Sequence, residues 1–156
     1  MVQVNWTRMP GDTASSPAWD THSHNARLLK TRLMPVMDAA YSALLEDLEV
    51  RGMLDETLVV WMGEFGRTPR INASGGRDHW GHVFSAALAG GGVKGGQVIG
   101  SSDRDGAHPK EGRVLPQDLQ ATVFRCLGYD PHTEMIDAQG RPLAITRGEP
   151  IAAALG

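Results

Sequence analysis

The stretch Thr57-Leu58-Val59-Val60-Trp61-Met62, followed by Gly63-Glu64-Phe65-Gly66-Arg67-Thr68-Pro69, decides how the chain reads. Six apolar or β-branched residues stand between a long helical pattern and a polar loop. Such a run predicts a strand buried on both faces, as in a parallel sheet flanked by helices. Upstream, Leu29, Leu33, Met37, Tyr41, Leu44 and Leu48 recur at three- and four-residue spacing from about Asn25 to Arg51. Pro35 inside that pattern predicts a kink or a break, and Gly52 a stop. A helix feeding a buried strand is the α/β signature.

Working outward, Val83-Phe84-Ser85-Ala86-Ala87-Leu88-Ala89 reads as another strand. The run Gly90 to Gly96 contains a formal G-x-G-x-x-G, but a second β-like run, Gln97 to Gly100, follows it. The dinucleotide fingerprint has to open a helix, so turn chemistry with several φ > 0 positions is expected instead. A helix is expected from about Pro116 to Leu127, with Leu119, Val123 and Leu127 on one face and Gly128 closing it. The tail after Asp130 carries Pro131, Pro142 and Pro150 and reads as irregular. At the other end, Met1-Val2-Gln3-Val4-Asn5-Trp6 alternates like a strand, with no charged and apolar leader before it. Residues 7–24 are polar, with breakers at Pro10-Gly11 and Ser15-Ser16-Pro17.

The chain has 156 residues, 41% of them hydrophobic and 21% charged, which suits one globular domain and excludes wholesale disorder. A net charge of -3 offers no basic footprint for nucleic acid. No apolar run reaches the roughly 18 residues needed to span a bilayer. The single Cys126 excludes an internal disulfide and any multi-cysteine metal site, and its place in a helix suits the core better than a nucleophile.

Four of the six histidines fall in two clusters, Trp19-Asp20-Thr21-His22-Ser23-His24 and Arg77-Asp78-His79-Trp80-Gly81-His82. Imidazole with carboxylate suits zinc or manganese without any thiolate. In an extended segment Asp20 shares a face with both His22 and His24, so either histidine is its candidate partner. Adjacent Asp78 and His79 point apart in such a segment, so that one binds metal while the other orients a neighbour. The bland reading is that these are capping, turn or solvated residues. Glu64 and Arg67 lie just beyond the apolar strand, where open α/β sheets bind ligands. There Glu64 serves as metal ligand or base and Arg67 as an anion clamp, unless the two simply pair to hold a turn.

The strings Trp19-Asp20-Thr21-His22, Gly63 to Pro69, Gly76-Arg77-Asp78-His79-Trp80, Ala89 to Gly96, Pro116 to Thr122 and Gly140-Arg141-Pro142-Leu143 occur in that order. Together, from about Val2 to Ile151, they resemble the C-terminal part of a large bacterial family of unknown function, described as sulfatase-like and grouped with the alkaline phosphatase superfamily. The resemblance implies a partial α/β/α sandwich with a mostly parallel sheet. It implies that residues 1–156 are the C-terminal part of one such domain, with the N-terminal strands and the nucleophile missing. It further implies a phosphate or sulfate ester hydrolase, inactive alone, acting on a small anionic ester through a divalent ion (Zn, Mn or Ca). Asp20, His22 and His79 then look like one metal site, and the second histidine cluster adds Asp78 as a further metal ligand. Glu64 looks like a ligand of a second site, weakened because Phe65 stands where the superfamily has histidine. Arg67 would bind the anionic group. The complete relatives look exported, periplasmic or secreted. The alternatives from the residues are a non-catalytic metal- or anion-binding module, or a truncated product without a function of its own.

Overall fold

The helical periodicity of residues 25–51 is realised as one continuous helical run. In the computed structural model, which describes residues 1–6, 10–13 and 17–156, it comprises α1 (Asn25–Leu28), a π-helical turn (Leu29–Leu33) and α2 (Met34–Val50). Pro35 neither breaks nor ends it. Proline has no N–H to donate, and its ring crowds the carbonyl four residues back. The π turn, closed by Met34 N–H donating to Leu29 O, admits one extra residue just before the proline and absorbs that conflict. Leu33 and Leu48 are buried on the inner side of this run. The helix ends in a Schellman pattern, with Met53 N–H on Leu48 O (2.8 Å) and Gly52 N–H on Glu49 O (2.9 Å).

The chain then enters β1 (Val59–Met62) and proceeds through β2 (Gly66–Arg67), β3 (His79–Trp80) and β4 (Ala86–Ala89). Next come β5 (Ser101–Ser102), β6 (Pro109–Glu111), α3 (Pro116–Cys126), β7 (Glu134–Ile136) and β8 (Pro142–Ala144). Among the described residues the strands form four separate two-stranded sheets, β1–β4, β2–β3, β5–β6 and β7–β8, and every pairing is antiparallel.

The expected partial α/β/α sandwich with its mostly parallel sheet is therefore corrected. A parallel pair needs a crossover of a dozen or more residues, usually a helix. Between β1 and β4 the chain instead makes the β2–β3 hairpin and returns against β1 in the opposite sense, Val59 opposite Ala89 and Met62 opposite Ala86. Nor is β1 buried on both faces. Val60, Trp61 and Met62 are 37%, 38% and 46% exposed, with Tyr41 of α2 the aromatic neighbour of Trp61 at 6.4 Å between ring centres. The total accessible surface is 11098 Å², against about 7,600 Å² for a folded monomer of this mass.

The expected strand at residues 1–6 is also absent, and Met1, Val2 and Val4 stand exposed there. The expected breaker at Ser15-Ser16 lies outside the described residues. The glycine run behaves as turn chemistry. Gly90 takes φ +70, and a Cβ there would lie 2.2 Å from Leu54 O, so the turn can press against the segment that leads into β1.

The second packing centre is α3. Pro116 opens it and the Asp118 carboxylate accepts the Leu115 N–H at 2.9 Å. Leu119 and Ala121 are buried with Ala154 of the C-terminal segment. Buried Thr122 holds that segment by accepting Ile151 N–H at 2.9 Å. The tail, read as irregular, contains the β7–β8 hairpin. Its turn is organised by Asp137, whose carboxylate accepts the N–H groups of Gln139 and Arg141.

Candidate metal centre

The two histidine segments, more than fifty residues apart in sequence, are laid side by side by backbone hydrogen bonds. Arg77 N–H donates to Thr21 O (3.1 Å), His24 N–H to Ser74 O (3.1 Å) and Asn25 N–H to Gly75 O (2.9 Å). Gly76 makes the approach possible, because a Cβ there would lie 2.0 Å from His22 O and 2.4 Å from Ser23 N. The first segment is not extended. Thr21 N–H reaches Trp19 O and His22 N–H reaches Asp20 O, and Asn25 donates to buried Thr21 Oγ1 at 2.6 Å. The second segment is set by the β2–β3 pair, which places Arg67 opposite His79.

Three ligand atoms converge. His79 Nε2 lies 2.7 Å from Asp20 Oδ1, His22 Nε2 lies 3.1 Å from the same oxygen, and the two Nε2 atoms are 3.2 Å apart. Donors sharing one tetrahedral ion at 2.0–2.1 Å are about 3.3 Å apart, so the three sides of this triangle would lengthen by about 0.1 to 0.6 Å to become a ligand set. Asp20 and His22 are half-buried and His79 is exposed, so the site opens to solvent on the His79 side.

Asp78 does not join the three. Its Oδ1 lies 2.7 Å from His22 Nδ1, on the far side of the ring from the cluster. A proton on Nδ1 directed at this carboxylate leaves the Nε2 lone pair for an ion, as in carboxylate–histidine–metal triads. Asn72 supports the arrangement, donating to Asp78 Oδ1 (3.2 Å) and His22 O (3.0 Å) while accepting Ser74 and Gly76 N–H.

Arg67 lies against the cluster, and its bonds run into the scaffold. Its Nη2 donates to Asp20 Oδ1 (2.6 Å) and Trp19 O (3.0 Å), and its Nη1 to Arg77 O (3.2 Å). The guanidinium is thus committed to holding Asp20. Burial pushes the Asp20 carboxyl up. The His79 hydrogen bond, the Arg67 hydrogen bond and charge, and the His22 charge outweigh it and hold the group below the usual carboxylate range. The hydrogen bond from His22, then that from Asn72, lowers Asp78.

Glu64 is exposed and lies outside the converging group of three. His24 is also outside it, because it takes a left-handed conformation (φ 51, ψ 34) at the start of α1. Phe65 stacks on His79 with ring centres 4.1 Å apart and forms a wall of the site. Sequence reasoning missed Asn72 as an organiser. Asn72-Ala73-Ser74-Gly75 is an Asx-turn signal that would have placed a structured turn just before the second cluster.

Comparison with known proteins returned no match among curated proteins and none among solved structures. One family model matches residues 1–155, described as "Protein of unknown function (DUF1501)". That description carries no activity, and the superfamily sandwich is absent from the fold. The expectations of a sulfatase-like, alkaline phosphatase-type C-terminal fragment and of a phosphate or sulfate ester hydrolase are corrected accordingly. The chain belongs to the DUF1501 family of proteins of unknown function.

Proposed function

We propose that the chain is a metal-binding protein that holds one divalent transition ion, zinc before manganese, on Asp20 Oδ1, His22 Nε2 and His79 Nε2. The convergence of these three atoms within 3.2 Å of one another carries the reading. Two imidazoles and one carboxylate suit a borderline ion. Calcium wants six to eight oxygen ligands, and the cluster supplies one carboxylate among its three donors. Three protein ligands leave zinc's fourth position for water or an anionic ligand. The solvent-facing side of His79 supports such an open position. Among the described residues no helix is long and apolar enough to cross a membrane.

The test is calorimetric titration of the metal-stripped chain with zinc, manganese and calcium. Zinc is expected to bind tightest at this site, with calcium silent. His79→Ala should abolish the tight equivalent while the circular dichroism spectrum is retained. Equal zinc binding by His79→Ala and the unmodified chain would refute the proposal.

A further inference from the structure

Successive residues of a strand point to opposite faces. On β3, His79 faces the cluster with Asp20, and Trp80 faces the other way. Around Trp80 stand two more histidines that the cluster does not use. His82 lies 4.8 Å from Trp80 and His108 lies 5.9 Å from it, between ring centres, and the two imidazoles are 4.8 Å from each other. Both are exposed.

The pair is held from behind. Trp80 Nε1 donates to Ala107 O at 2.7 Å, which ties β3 to the turn that carries His108. Asp103 fixes that turn by accepting Ala107 N–H (2.7 Å) and His108 N–H (3.1 Å) on its two carboxylate oxygens.

We propose that His82 and His108 form a second metal site, on the opposite side of β3 from the first, taking a borderline divalent ion such as Zn(II) through two imidazole nitrogens and water. Two imidazoles bound side by side on one ion, with metal–nitrogen bonds of about 2.0–2.1 Å, have ring centres roughly 4.5–5.2 Å apart. The 4.8 Å spacing meets that requirement. It also equals the separation of His22 and His79, whose Nε2 atoms already converge. Two protein ligands make the site weaker than the first, because the ion keeps more of its water.

The experiment titrates the metal-stripped full chain with zinc chloride by calorimetry and counts equivalents. The unmodified chain is expected to bind two, one tight and one weaker. The double variant His82→Ala/His108→Ala should lose only the weaker one, its retained tight equivalent and circular dichroism spectrum reporting an intact fold. The double variant Asp20→Ala/His79→Ala should keep the weaker one. Unchanged stoichiometry in His82→Ala/His108→Ala overturns the second site. Loss of zinc binding in that variant alone, with Asp20→Ala/His79→Ala unaffected, would uphold the second site while removing the first.

Discussion

Replacing Asp78 by Asn tests whether this residue orients His22 or binds the ion itself. The His22 Nδ1 to Asp78 Oδ1 distance of 2.7 Å lies at the short end of charge-assisted hydrogen bonds. Asn keeps an oxygen for the imidazole and for Asn72, so the loop retains its contacts, but the negative charge that fixes the tautomer and raises the basicity of Nε2 is gone. Loss of such a partner costs about 10–100-fold in metal affinity. The Asp78 side chain is 53% exposed, so solvent screens it and the effect belongs at the lower end, near tenfold. Zinc competition against a chromophoric chelator at pH 7 reads this directly, with His22→Ala alongside. A change below about twofold would show that the orienting bond contributes nothing. A loss as complete as in His22→Ala would show that Asp78 is itself a ligand.

Three further outcomes follow from the geometry. Gly76→Ala places a methyl group against His22 O at 2.0 Å; forcing the two segments apart should cost about 1–3 kcal/mol in urea denaturation and weaken zinc binding in parallel. Leu33→Ala, at a position 1% exposed, should cost about 2–5 kcal/mol by the same assay and leave the zinc affinity of the remaining folded protein unchanged. The N–H of Arg141 and then its side chain hold the Asp137 carboxyl below its ordinary 3.8. A carboxyl lowered in the folded state stabilises it fully above the unfolded value, and that contribution fades as pH falls through the folded one. Thermal unfolding followed from pH 5 to pH 2 should therefore show a shallower loss for Asp137→Asn than for the unmodified chain, and identical slopes would contradict the assignment.

Local features were legible where local physics decides them. The spacing of Leu29, Leu33, Tyr41 and Leu48 forecast the long helix, and Pro116 with Gly128 bracketed α3. Both follow from periodicity and capping, which act within a few residues. The β1 stretch was legible as a strand but misread in its surroundings. An apolar run reports a preference for extended backbone and says nothing of the sense of its partner or the number of layers above it. The β7–β8 hairpin was hidden by Pro142 and short strands, although Asp137 and Gly140 mark its turn. Pro35 predicted a disruption correctly in place but not in kind, since a π turn serves as well as a break.

At the candidate metal centre, the residue types and their clustering came from the sequence alone. Aspartate and histidine in two short segments limit the ligand chemistry to nitrogen and oxygen donors, wherever the segments lie. The choice of His22 over His24, the separation of Asp78 from the ligand atoms and the use of Arg67 to hold Asp20 were decided by tertiary structure. Each depends on which side of a ring or carboxylate faces which neighbour. That is set by the backbone pairing of Thr21–Asn25 with Gly75–Arg77 and by the β2–β3 register. The first of these pairings joins residues fifty or more positions apart, and no local periodicity encodes it.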